Sequence, residues 1–444
     1  MNAAFRFTVG AAFAGLAAVA VSTPARAAID ITPVTSPGGF DAWMVEDPSI
    51  PFIALELRFA GGASLDAPGK RGSINLMTAL LDEGAGDLDA QEFSIAAETL
   101  AARFQFDVGP DALSVSAQFL TEDADEALAL LRSALIEPRF DEDAIERVRA
   151  QVLSNIASDA LDPQTIASAT YNALAFPDHP YGTRYEGTAE SVTGLTRDDL
   201  VDAKARVVAR DRVYASAVGD VDAERLGRML DTLLSDLPES GAPLPGPADS
   251  ALEGGLTVVD FETPQSVIAF GHEGIGMDDP RFFPAFVMTQ VLGGSGLNSR
   301  LMEEVRRKRG LAYGAYAGMW TQSYANQLRG STSTVNDRVG ETVAVLRSEW
   351  ERLAAEGITE EELARAKTYL TGAYPLRFDS NERIANILVG MQLDGMPIDY
   401  VNTRNDRVEA VTLDEVRQAA AELVRPQDLH IVVVGQPEGL DASN

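Results

Sequence analysis

Arg306 and Tyr313 stand seven residues apart in GGSGLNSRLMEEVRRKRGLAYGAYA, residues 293–317. The run SRLMEEVRRKR predicts a helix, with Leu301 and Val305 on its apolar side and the basic residues 306–309 near its C-terminal end, where the dipole is negative. Gly310 suits the C′ position that ends such a helix. LAYGAYA follows, and its aromatics Tyr313 and Tyr316 favour a strand. An Arg at the helix end and a Tyr at the strand entry can converge on one carbonyl oxygen, one as a charge-assisted donor and the other as a neutral one. The competing reading is structural: Arg306 caps the helix and Tyr313 fills core. The glycines at 293–296 do not form a phosphate loop, because FPAFVMTQVL before them has a helical pattern, Ser299 takes the last glycine place, and no Lys-Ser/Thr follows. Asn298 and Ser299 fit instead as caps of the next helix.

The segment resembles the second-domain signature of the pitrilysin/insulinase family, the inverted-motif zinc peptidases that include the mitochondrial processing peptidase. The stretch FPDHPYGTRYEGTAESVTGLTRDDL, residues 176–200, also looks like one common in that family. The resemblance covers nearly the whole chain after its first 27 residues. It implies an α+β fold of two homologous domains, each a mostly antiparallel sheet covered by helices, clasped around a chamber (mitochondrial-processing-peptidase-like). It also implies that Arg306 and Tyr313 are a substrate-binding pair.

The family's active members carry HxxEH on the first long helix, and this chain has no such motif. In LRFAGGASLDAPGKRGSINLMTALLDEG, residues 57–84, aligning Gly72 with the family's glycine puts Asn75, Thr78 and Ala79 at the positions of the two His ligands and the Glu base. A neutral amide is a poor zinc donor, Ala offers none, and a Thr hydroxyl is no base near neutral pH. The third ligand, a Glu on a later helix, falls near Asn155 and Ile156, in a stretch without Asp or Glu from Glu146 to Asp159. The three histidines, His179, His272 and His430, include no pair at helical metal spacing. His179 is expected in a loop with a structural role, and His430 within a strand. Asp82, Glu83 and Asp87 have no calcium-loop spacing and suit a solvated helix end.

The elements that must position these residues come in two copies. LTRDDL from Leu195 and VTLDEV from Val411, and DRVYASAVGD at 211–220 and QDLHIVVVGQ at 427–436, repeat the same order of segments. FDEDAIERVRA matches ITEEELARAKT, and LMT at 76 matches VMT at 287. IALELRFAGGA, ALSVSAQFL and VYASAVGD alternate or run apolar like strands, while Ile145, Val148, Val152 and Ile156 make one stripe of a helix. Helices and strands come in blocks, which points to α+β layers. PESGAPLPGPADSALEGG, residues 238–255, reads as a linker. The expected organisation is therefore a signal peptide at 1–27, a first peptidase-like domain at 28–237 with its zinc motif lost, the linker, and a second domain at 256–444 with the Arg/Tyr pair.

The signal-peptide expectation rests on Arg6, the apolar run VGAAFAGLAAVAV and the Ala25-Arg26-Ala27 cleavage pattern. It implies a periplasmic protein with no membrane span in the mature chain. No cysteine is present, so neither disulfides nor thiolate metal sites can form. The formal net charge of -31 excludes a nucleic-acid partner. The resemblance then implies a non-catalytic, substrate-binding subunit of a heterodimeric zinc metallopeptidase. It would act on peptides beside a homologous HxxEH-bearing subunit and hold no cofactor itself, the zinc residing in the partner. The alternative is a catalytically dead scaffold or peptide-binding protein of the same fold.

Overall fold

The computed structural model describes residues 29–440, so the signal-peptide expectation lies outside the described residues. Strands β1 (Thr32–Thr35), β2 (Asp41–Glu46) and β3 (Phe52–Ala60) lead into helix α1 (Ser73–Thr78). A small hairpin, β4 (Gly84–Ala85) and β5 (Leu88–Asp89), precedes α2 (Ala90–Thr99), β6 (Arg103–Val108) and β7 (Ala112–Leu120). Helices α3 (Ala124–Ile136), α4 (Glu142–Asp159), α5 (Pro163–Ala175), α6 (Ala189–Thr193) and α7 (Arg197–Val207) follow. β8 (Val213–Gly219) and α8 (Ala223–Leu234) end the first half.

The second half repeats the plan. It runs β9 (Gly255–Asp260), β10 (Gln265–Glu273), α9 (Phe282–Gly293), a π-helical segment Met302–Lys308, β11 (Ala315–Thr321) and β12 (Asn326–Val335). Then come α10 (Val339–Glu356), α11 (Glu360–Ala373), α12 (Asn381–Leu393), α13 (Tyr400–Ala410), α14 (Leu413–Leu423) and β13 (His430–Gly435). The first sheet has the order β1-β2-β8-β3-β7-β6 and the second β11-β12-β10-β13-β9. Read from opposite ends, these are one topology, with β1 added at one edge. Only β2 with β8 and β9 with β13 pair in parallel; every other neighbour in the two sheets is antiparallel. The repeated segments also close their helices alike, since Thr196 with Asp199 and Thr412 with Glu415 form reciprocal capping boxes on α7 and α14.

Alternation along the strands decides what covers each face. Ile53, Leu55, Leu57 and Phe59 of β3 enter the large core shared with α1, α3 and α7, and Ile268 and Phe270 of β10 do the same beneath α9 and α10. The opposite faces are covered by exchange. Helix α5 of the first half sets Ala167, Tyr171 and Ala175 against Val267, Ala269, Val432 and Val434 of the second sheet. Helix α12 of the second half sets Ala385, Leu388 and Met391 against Ala54 and Val218 of the first. Ser216 donates its hydroxyl to the Ala385 carbonyl at 2.6 Å, and Gln392 Nε2 donates to the Ala215 carbonyl at 2.8 Å. The boundaries at 237 and 256 therefore divide the repeats in sequence without separating two self-covered packing units.

The segment 238–255 has no regular structure until Gly255 opens β9. It is held against both halves. Ala242 N–H donates to the Arg206 carbonyl, Ala248 N–H to that of Tyr324 and Ala251 N–H to that of Ala175, at 2.7–2.9 Å.

Candidate functional site

The residues expected at the family's metal positions lie on or at the end of a short helix. Asp66 accepts from Gly72 N–H, Ile74 N–H and the Ser73 hydroxyl at 2.8 Å each, satisfying the first donors of α1. Arg71 ties the same turn to the carbonyls of Arg184, Pro180 and Thr183, locking it to the FPDHPYGTR loop. Gly72 sits at φ 92°, where a Cβ would meet the Glu186 carbonyl oxygen at 2.5 Å. Thr78 is buried and gives its hydroxyl to the Ile74 carbonyl at 2.7 Å. Ala79 ends the helix, exposed, and Asn75 is half-buried. On α4, exposed Asn155 accepts from its neighbour Gln151, and Ile156 packs against the core. This donor set does not fit zinc: one amide, one committed hydroxyl and one methyl replace two imidazoles and a base. Among the described residues no three His, Cys, Asp or Glu side chains come together as a metal site.

Arg306 and Tyr313 do come together. The Arg306 guanidinium carbon lies 4.2 Å from the centroid of the Tyr313 ring, within cation–π range. Tyr313 is 84% exposed, so it does not fill core. The other three basic residues of the cluster are spent on carboxylates: Arg307 on Glu303 and Lys308 on Glu304, both at 2.7 Å, and Arg309 also on Glu304. Arg306 has no carboxylate partner among the described residues. The predicted α-helix is largely a π-helix, in which one residue more is packed into each turn. Gly310, at φ 58°, then reverses the chain as expected of a C′ glycine. Ser299 accepts weakly from Met302 N–H at 3.4 Å, the capping role read from the sequence. No hydrogen bond, ion pair or ring contact joins this pair to Asn75, Thr78 or Ala79 among the described residues.

The histidines are taken up locally. His272 is fully buried; its Nδ1–H donates to the Glu273 carbonyl at 2.7 Å, leaving Nε2 to accept from Arg425 N–H at 3.3 Å. His430 pairs its ring with the Gly254 carbonyl and the Thr257 hydroxyl. His179 caps a short 3-10 turn and packs against Tyr181 and Tyr324. Burial depresses the pKa of both His179 and His272.

One constellation was not singled out from the sequence. Arg329 of β12 reaches the inner face of the second sheet, where Nη1 donates to Asn172 Oδ1 of α5 at 2.8 Å. Its guanidinium lies 4.6 Å from the Tyr171 ring centroid and 5.6 Å from that of Trp320. The only sequence sign is an Arg inside the strand QLRGSTSTV, on the face that α5 covers.

Comparison with known proteins places this arrangement. Residues 43–189 match the insulinase family (peptidase family M16), and residues 194–370 match the peptidase M16 inactive domain. The chain belongs to the peptidase M16 family. This M16 chain is 27% identical over 390 residues to the non-peptidase homolog YmxG of Helicobacter pylori, covering 88% of this chain and 90% of that protein. It is 26% identical over 414 residues to an uncharacterized zinc protease of Mycobacterium tuberculosis, covering 90% and 93%. The crystal structure of a peptidase M16 inactive domain from Pseudomonas fluorescens superposes with a TM-score of 0.86 at 26% identity, covering 92% of this chain and 98% of that one. Relatives named as proteases and as a non-peptidase share the fold, so activity has to be read from the side chains.

Proposed function

We propose that this M16 chain is the non-catalytic, substrate-binding subunit of a two-chain zinc metallopeptidase acting on peptides. The observation that carries the reading is a contrast within one molecule: Asn75, Thr78 and Ala79, which the resemblance sets at the metal positions, offer no zinc ligands, while a half-buried Arg306 stays paired with an exposed Tyr313. The name of the Helicobacter relative agrees with the first half of that contrast. Zinc in an HxxEH-bearing homologous partner would supply the activated water. Arg306 and Tyr313 of this chain would hold the peptide backbone through a guanidinium and a phenol donor at one carbonyl. The periplasm is the proposed site of action, on the leader-like residues 1–27.

The test is reconstitution with the HxxEH partner. Alone, the chain is expected to retain no stoichiometric zinc by elemental analysis and to hydrolyse no peptide. With the partner present, Arg306→Ala and Tyr313→Phe are each expected to lower kcat by about 100-fold or more, the usual loss for one donor at a developing oxyanion, while pairing by gel filtration is unchanged. Full activity of both variants would transfer the case to the scaffold reading.

A further inference from the structure

A cavity of about 680 Å³ opens on the inner face of the second sheet, between α5, the C-terminal end of α9 and the free edge formed by β11. Its wall combines apolar groups, Phe286, Met319 and Trp320, with neutral polar ones such as Gln164 and Gln290. Arg329 is the only charged side chain among its lining residues, in a chain with 67 acidic residues. The same guanidinium borders an adjoining cavity of about 460 Å³, so it stands at the junction of the two. The carboxylates of that second space, Asp159 and Glu186, are both occupied by Arg184, at 2.5 and 3.3 Å.

Arg329 is poorly provided for by its own protein. Asn172 takes one of its five N–H groups, and no carboxylate of the described residues lies within ion-pair distance. Two other enclosed arginines have carboxylates, Arg300 a bidentate Glu362 and Arg71 Asp66, whereas Arg404 is held by the Leu370 carbonyl, Asn405 and aromatic rings. Burial opposes the charge of Arg329. Space beside it is provided by the backbone. Gly318 is the cross-strand partner of Arg329, and a Cβ built there would touch nothing within 4 Å. Tyr316 and Trp320 flank Gly318 on that face and line the cavity; the Tyr316 ring leans over Gly314, which leaves a slot at Gly318 between the Trp320 ring and the guanidinium.

We propose that this slot binds a carboxylate carried on an apolar body, in the first place the free C-terminus of a short peptide. The carboxylate would meet Arg329 as a charge-assisted, fork-shaped pair, and the terminal side chain would lie against Trp320 and Met319. The site is separate from Arg306 and Tyr313, neither of which lines the cavity. It requires no partner subunit.

The experiment is calorimetric titration of the chain alone with Ala-Ala-Phe, with its C-terminal amide, and with 3-phenylpropionate. The free acid is expected to bind at least 10-fold more tightly than the amide. Arg329→Gln should abolish that difference, and Gly318→Leu, whose side chain would occupy the slot, should abolish binding with far-UV circular dichroism unchanged. Arg228→Ala, on α8 and outside the cavity, should bind as the parent does; the titration reads binding by the chain alone, so failure of the catalytic-pair reading would leave this result intact. Binding of 3-phenylpropionate as tight as that of the peptide supports the site and assigns it to small carboxylic acids, whereas much weaker binding assigns it to peptide termini. Equal binding of acid and amide, no saturable binding of either, or unchanged preference in a folded Arg329→Gln variant overturns the proposal.

Discussion

The exchange of α5 and α12 makes a quantitative prediction for Leu388→Ala. Leu388 belongs to the second repeat, yet its side chain is fully buried with Ala54 and Val218 of the first sheet. Those neighbours are small and sit on hydrogen-bonded strands, so they cannot move in to fill the space left by the missing atoms. The expected loss is therefore in the range of large-to-small core changes that leave a cavity, roughly 3 to 5 kcal/mol. Ser216→Ala, which removes the buried hydroxyl donated to the Ala385 carbonyl, is expected to cost about 1 kcal/mol. Urea unfolding followed by circular dichroism gives the loss, and hydrogen exchange read by mass spectrometry shows where it falls. Amide protection should drop in β3 and β8, more than 160 residues away in sequence, as well as in α12. A loss below about 1 kcal/mol, or reduced protection confined to the second repeat, would refute the claim that the halves cover one another. Residues 28–237 expressed alone make the same point. Lacking α12, they should expose Ala54, Val218 and the half-buried Trp43 and Val45, and bind a hydrophobic dye; a cooperatively unfolding isolated half would contradict the exchange.

Limited proteolysis should first cut between Ala242 and Ala248, two anchored residues between which no backbone–backbone hydrogen bond is made among the described residues, and the nicked halves should still co-elute because each keeps its helix on the other. Separation of the fragments without denaturant would count against it. Acid stability should report Glu362: burial works against its charge, but Arg300 and the Thr359 cap outweigh that and hold its pKa down to about 2 from 4.5. A depressed carboxylate stabilises the fold above the unfolded value and loses that contribution as the pH falls from 4.5 toward 2, here on the order of 1 to 2 kcal/mol after allowance for solvent screening. Glu362→Gln should flatten that limb of a stability–pH profile; an unaltered limb would remove Glu362 as its cause.

Periodicity was a good guide wherever an element's own side chains decide its structure. The strand ALSVSAQFL occupies Ala112–Leu120, and the stripe of Ile145, Val148 and Val152 is the buried side of α4. Repeats foretold the shared topology because the same caps and strands recur in the same order. Three features had no such signal. Amphipathicity shows that α5 and α12 each bury a face, but nothing local says that the sheet beneath belongs to the other repeat. The π-helical segment reads as an α-helix because its apolar residues Leu301, Met302 and Val305 satisfy either winding over so few turns. Arg329 looks like an ordinary outward residue of an alternating strand, and only the lid supplied by α5 makes it an enclosed charge.

Stability accounts for some of the side chains considered above and leaves others unexplained. Thr78 returns its hydroxyl to its own helix and Ala79 ends it, so both residues serve α1 itself. Tyr313 is the opposite case. An 84% exposed phenol contributes little apolar burial, and a cation–π contact at such a surface is worth only about 0.5 to 1 kcal/mol. The π-winding that carries Arg306 is rare in proteins and occurs mostly as single turns, frequently at functional sites. Arg329 likewise places a charge where burial disfavours it, with a glycine beside it leaving room. Neither Tyr313 nor Arg329 is explained by what it returns to the fold, and both lie on the second repeat, one at the exposed turn before β11 and one in the cavity behind it.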